Sequence, residues 1–114
     1  MIIIVLCQCN HGKLIGIIGF ARKSAAADSG FEAVRRSLLQ GKAAFVLVDH
    51  SLTENSLKKI VAIAEHRQTP VFRVQKNQDG IDLVGISGYK MLSIHPGGLA
   101  KGFIDKLTQE LRWL

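Results

Sequence analysis

The residues best equipped for chemistry lie between Ser29 and His50, in the stretch SGFEAVRRSLLQGKAAFVLVDH. Gly30 is followed one turn later by two adjacent arginines, Arg35 and Arg36, and a second basic pair, Arg22 and Lys23, precedes it. These side chains are cations at neutral pH, and the guanidinium adds a planar fork of N–H donors that matches phosphate and carboxylate. A glycine at the start of a helix keeps that end bare, so backbone N–H groups and the positive end of the dipole can face an anion. The chemistry this stretch suits is anion binding. Overall charge agrees: fifteen Lys and Arg against nine Asp and Glu give +6 and a pI near 9.7. Residues 1–42 hold six basic and two acidic side chains, which places +4 of the +6 there. Such a balance favours an anionic partner, nucleic acid before membrane. A merely soluble basic protein carries the same balance, and charge alone does not separate the two.

Other chemistries find less support. His11, His50, His66 and His95 are scattered, no Ser or Cys has a base near it in sequence, and no paired carboxylates stand out. The expectation is a protein that is not an enzyme and needs no cofactor. Cys7, Cys9 and His11 offer metal ligands, but no second ligand pair follows at zinc-like spacing. Two cysteines one residue apart also make a poor structural disulfide, so the chain reads as a reduced, cytoplasmic protein. The opening MIIIVL is too short for the apolar run of a signal peptide and lacks its basic front. No stretch approaches the ~20 apolar residues of a membrane span. Gly12, Gly16 and Gly19 are spaced G-x-x-x-G-x-x-G, without the close pair that lets a backbone approach a pyrophosphate. Small residues for close helix packing explain them better.

The elements that must position the basic residues follow from periodicity. Leu14, Ile17, Ile18 and Ala21 fall on one helical stripe ending at Arg22 and Lys23. Ser29 and Glu32 have capping-box spacing, with Phe31, Val34 and Leu38 as the buried stripe and Gly41 as the left-handed C-terminal residue. Continuously apolar AAFVLV reads as a strand covered on both faces, with Asp49 and His50 at its exit. Ser51 and Glu54 form a second capping box, for a helix to about Arg67 with Leu57, Ile60, Val61 and Ala64 inside. PVFRV is a strand, DGIDLVG a short helix or turn, and KMLSI a further strand. HPGG turns into a last helix, whose inner face is Ala100, Phe103, Ile104, Leu107 and Leu111. Met1 to His11 adds a short strand or an unpacked extension. Strands separated by helical crossovers imply an α/β fold, a three-layer α/β/α sandwich with a mixed or mostly parallel sheet. At 114 residues, residues 1–114 form one domain.

Several separated pieces carry a resemblance: IIGFARK, the SGxExxxR helix start, GKAxxVLV, the NxxKK of Asn55, Lys58 and Lys59, and GGLAKGF. In this order and spacing the chain resembles the ribosomal protein L-seven-Ae superfamily, with L-thirty-e and S-twelve-e, and within it the bacterial YlxQ-like branch. The likeness runs from about Leu14 to Lys106. It implies the same sandwich and binding of kink-turn RNA, in which tandem sheared G·A pairs follow a short bulge. The family's recognition segment is Gly-x-Asn-Glu-x-x-Lys. Here the glycine is Gly30, Glu32 stands at the Asn position, Ala33 at the Glu position and Arg36 at the Lys position. Glu32 accepts hydrogen bonds but cannot donate them, and Ala33 does neither.

What the resemblance implies for the site is an RNA surface of Ser29, Gly30, Phe31, Glu32, Arg35 and Arg36, joined by Arg22 and Lys23. A second family element, the loop after the short helix, packs apolar side chains against an extruded base. It corresponds to VGISGYK, with Ile86, Ser87 and Gly88, and Tyr89 as a stacking group. A plain glycine turn is the alternative there. The implied protein is a monomeric, ribosome-associated RNA binder whose partner is ribosomal or kink-turn RNA and which binds no membrane. The rival is a protein-interaction module of the same fold, betrayed by an exposed apolar patch instead of a basic face.

Overall fold

The computed structural model describes residues 3–6, 19, 23, 25–76, 80, 82–97 and 101. Its strands are β1 (Ile3–Leu6), β2 (Ala27–Ser29), β3 (Phe45–Asp49), β4 (Val71–Val74) and β5 (Met91–Ile94). Its helices are α1 (Phe31–Leu39), α2 (Glu54–His66) and α3 (Leu83–Ser87). The strands make one sheet in the order β1-β4-β3-β5-β2. β1, β4 and β3 run parallel, and β5 is antiparallel to both β3 and β2. The sheet is therefore mixed, and AAFVLV, PVFRV and KMLSI lie side by side within it.

β3 shows why a continuously apolar run was needed. It is the central strand, and Phe45, Val46, Leu47 and Val48 have no exposed surface. Successive side chains alternate between faces. Phe45 and Leu47 meet Phe72, Val74, Leu92 and Ile94 on one side, beneath Leu83 of α3. Val46 and Val48 meet Val71 and Met91 on the other, beneath Val34 and Leu38 of α1 and Leu57, Ile60 and Ala64 of α2. Phe45 and Phe72 pack edge to face, with ring centroids 5.6 Å apart. Helices on both faces give the α/β/α sandwich.

Gly41 ends α1 as its position implied. At φ +70 it sends its N–H to Leu38 O at 3.1 Å while Lys42 N–H reaches Ser37 O at 2.9 Å, so two terminal carbonyls are satisfied. A third carbonyl, of Leu39, accepts from the Arg67 guanidinium at 2.6 Å, which ties the end of α1 to the end of α2.

The structure corrects the elements elsewhere. Ser51 does not cap α2: its hydroxyl donates to Asp49, and Thr53 is the cap, accepting from Ser56 N–H at 3.3 Å. Ala27–Ser29 is a strand that periodicity did not show, because three residues hold it only through pairing with β5. The N-terminal residues do add a short strand, β1. Of the helix expected around Leu14, Ile17, Ile18 and Ala21, Gly19 and Lys23 are described and are helical. The rest of that stripe lies outside the described residues, as do Ala100, Phe103, Ile104, Leu107 and Leu111. Lys101 is helical. No helix among the described residues is long and apolar enough to cross a membrane.

Gly41→Ala tests the end of α1. A Cβ at Gly41 meets nothing within 4 Å, so any cost comes from the left-handed backbone alone. We expect a loss of roughly 1–2 kcal/mol in denaturant unfolding, with an unchanged m-value.

Candidate nucleic-acid interface

One edge of the sheet gathers the C-terminal ends of β2, β3 and β4 and the start of β5, because β5 runs against its neighbours. α1 leaves this edge from β2, and α2 leaves it from β3. The joint between β2 and α1 is Gly30, at φ 91 and ψ 162, a conformation that L side chains rarely adopt. Its N–H donates to Met91 O at 2.9 Å. This bond sets the first turn of α1 beside the Gly88–Lys90 turn that leads into β5.

No side chain caps α1. Ser29 stands one residue too early, paired with Leu92 in β2, and the capping position falls to Gly30, which has no oxygen to offer. The expected Ser29–Glu32 capping box is therefore absent. Freed from that role, Glu32 accepts from Arg35 through Oε2, at 3.1 Å from Nη2 and 3.4 Å from Nε. Arg36 is exposed and makes no ion pair among the described residues. Phe31 is half-buried against the α1–α2 core.

The second segment is also reshaped. Val84, Gly85, Ile86 and Ser87 are helical, so the loop is only Gly88–Lys90. Ile86 packs half-buried on the core, and the buried Ser87 hydroxyl donates to Leu83 O at 2.8 Å and accepts from Tyr89 N–H at 3.1 Å. Gly88, at φ 80, closes α3 in the left-handed region with its N–H on Val84 O. What reaches the surface is Gly88, Tyr89 at 42% exposure, and Lys90. Lys23 is exposed, and Arg22 lies outside the described residues.

A polar clasp fixes α3 to the same edge, and sequence reading missed it. Asp49 is fully buried at the end of β3, where it accepts from Ser51 N–H at 3.0 Å, from the Ser51 hydroxyl, and from Val84 N–H at 3.2 Å. Asp82 caps α3 by accepting from Gly85 N–H at 2.9 Å, and its other oxygen meets His50 Nε2 at 2.9 Å. Arg73 donates to His50 O at 2.8 Å. Ligand atoms of Asp49, His50 and Asp82 lie within 4.8 Å of one another, close enough for a small cation. Asp49 already has two N–H donors and a hydroxyl donor, and Asp82 has the Gly85 N–H and the His50 ring nitrogen, so the arrangement accounts for itself as a fastening. Asp82 after Gly80 was a legible cap signal; its pairing with His50, thirty-two residues away, was not.

Comparison with known proteins places this fold. No protein-family model matches the chain, and no curated protein matches it. Solved structures do. A protein of unknown function from Bacillus halodurans is 18% identical, with a TM-score of 0.67, covering 82% of this chain and 94% of that one. A 15.5kD RNA binding protein from Giardia lamblia is 10% identical, with a TM-score of 0.67, covering 90% of this chain and 87% of that one. The Pelota protein of Thermoplasma acidophilum is 16% identical, with a TM-score of 0.60; the match spans 74% of this chain and 27% of Pelota. These likenesses show a shared fold, the one implied by the resemblance to the L-seven-Ae superfamily.

The clasp makes a pH prediction. The backbone bond from Gly85 and the nearby His50 hold the Asp82 pKa below its ordinary 3.8. A lowered folded-state pKa contributes stability above the unfolded value and loses it as pH falls through the folded one. Asp82→Asn keeps a capping oxygen without a titrating proton. Its unfolding free energy should fall less steeply than that of the unaltered protein as pH drops below about 4, followed by urea titrations at a series of acidic pH values.

Proposed function

We infer that the protein binds structured RNA, ribosomal or kink-turn-like, as a non-enzymatic, monomeric, ribosome-associated factor. The observation that carries this reading is the Gly30 N–H to Met91 O bond of 2.9 Å. It joins the two segments that the resemblance implicates, the first turn of α1 and the turn before β5, into one surface. Phosphate finds there an uncapped helix start, Arg36 one turn along, and Lys90 at the mouth of β5. Tyr89 offers a ring for an unpaired base. The fold shared with an RNA binding protein of Giardia lamblia supports the same reading.

The rival reading as a protein-interaction module needs a contiguous apolar patch. The exposed large apolar side chains among the described residues are Leu39 and Tyr89. Leu39 closes the C-terminal end of α1 while Tyr89 lies beside its N-terminal end, so they form no patch.

Crosslinking followed by sequencing of the bound RNA names the ligand. On that RNA, Arg36→Ala should weaken binding and reduce the slope of log affinity against log salt by about 0.7–0.9, one phosphate contact. An unchanged slope means that Arg36 faces only water and that the RNA docks elsewhere.

A further inference from the structure

Arg73 is a charge that the fold leaves unmatched, and it stands near the C-terminal end of β4, on the same edge of the sheet. It is the third residue of that strand, opposite Val48 of β3 and Val5 of β1, so strands flank it on both sides. Alternation puts Phe72 and Val74 on the α3 face, and Val71 with Arg73 on the face covered by α1 and α2. Its same-face neighbours Val48 and Val71 have no exposed surface. From this apolar bed the half-buried guanidinium makes one bond, from Nη2 to His50 O at 2.8 Å. Its Nε is buried and has no hydrogen-bond partner, and no carboxylate pairs with the group among the described residues. The carboxylates of this edge are answered elsewhere. Asp49 has three donors, and Asp82 has Gly85 N–H and His50, with the charge of Lys76 also favouring its ionised form.

A cation set among apolar side chains without a counter-ion destabilises a fold. A guanidinium carries five N–H donors in a planar fork, and a single carbonyl leaves most of them unused. We propose that Arg73 seats a phosphate and, on the RNA-binding reading, that this phosphate belongs to the backbone of the bound RNA. Phosphate supplies what the site lacks, negative charge together with oxygens spaced for the fork. The apolar surroundings strengthen such a pair relative to one in water. The guanidinium is only half-buried, so an anion reaches it without opening the core. β4 lies two strands from β5, roughly 10 Å along the edge at the usual strand spacing. One RNA element can therefore contact both Lys90 and Arg73.

Urea unfolding with inorganic phosphate, against sodium chloride at matched ionic strength, tests the seat without RNA. A ligand bound only by the folded protein raises its stability, so phosphate should move the midpoint of the unaltered protein upward. Phosphate also favours burial in any protein through exclusion from its surface. Arg73→Met, which keeps a long side chain without the charge, measures that background, and its midpoint should rise less. A site-specific readout on the unaltered protein does not depend on how the variant folds. The Arg73 Nε–H signal in nitrogen-15 spectra, assigned by its loss in Arg73→Lys, should shift with phosphate and not with chloride. An equal midpoint shift in both proteins overturns the seat, as does an Nε–H signal that phosphate leaves unmoved. The RNA arm uses the RNA recovered by crosslinking. There Arg73→Met should reduce the slope of log affinity against log salt by about 0.7–0.9, one phosphate contact. A phosphate response with an unchanged slope overturns the RNA as occupant in favour of a free phosphate-bearing ligand. Failure of the unaltered protein to bind any RNA overturns the functional reading and the RNA occupant with it, while the response to inorganic phosphate still decides the seat.

Discussion

Most of the candidate interface depends on how the chain passes from β2 into α1. β2 is an edge strand of three residues, and β5 is its one partner among the described strands. A helix must follow immediately, because Phe31 already belongs to α1. Such a sharp exit needs a backbone conformation that side chains resist, and Gly30 supplies it at φ 91. The Gly30 N–H to Met91 O bond then continues the β2–β5 ladder by one step into the turn. Because that bond is made to β5, the direction of α1 is referenced to the sheet rather than to a mobile loop. The same glycine cannot offer a capping oxygen. A geometric requirement of the turn thus leaves the helix start open to an external acceptor.

The opposite flank of the edge is held by a different device. α3 has only five residues and little intrinsic stability. Asp82 caps it, Gly88 closes it, and Asp49 bonds the N–H of Val84 from beneath. A buried carboxylate is costly unless hydrogen-bonded, and Asp49 has three donors. The clasp explains how so short a helix can present Gly88, Tyr89 and Lys90 in a fixed place.

Which of these features the sequence disclosed follows from their range. β3 was legible because a strand buried on both faces must be apolar at every position from Phe45 to Val48. Gly41 was legible because a helix end that needs positive φ favours glycine. The caps were less so. Ser51 and Glu54 match the capping spacing, yet the Ser51 hydroxyl is claimed by buried Asp49, and Thr53 takes the position. Ser29 and Glu32 match it too, but pairing of Ser29 with Leu92 moves the helix start one residue on. In each case a local pattern lost to a contact made across the fold. Gly85 and Ser87 made the second half of α3 look like loop for the same reason, since the bonds that fold it come from Asp82 and Asp49. The candidate residues Gly30, Glu32, Arg35 and Arg36 were visible by type and spacing, but the pairing of Glu32 with Arg35 instead of Ser29 was not.

The two carboxylates that flank this edge show why burial decides what a charged group does. Asp49 has no solvent exposure, and removing its charge or its donors would leave buried groups unsatisfied, a cost of about 1–3 kcal/mol each. Its role is structural and its partners are fixed. Glu32 is exposed, and an exposed i,i+3 ion pair contributes about 0–1 kcal/mol to stability. An acidic side chain in the first turn also suits the positive end of the helix dipole, a further contribution of about 0.3–1 kcal/mol to the stability of α1. It repels phosphate from the one place where the helix dipole would draw it. Pairing with Arg35 offsets part of that negative charge while both side chains stay in contact with solvent.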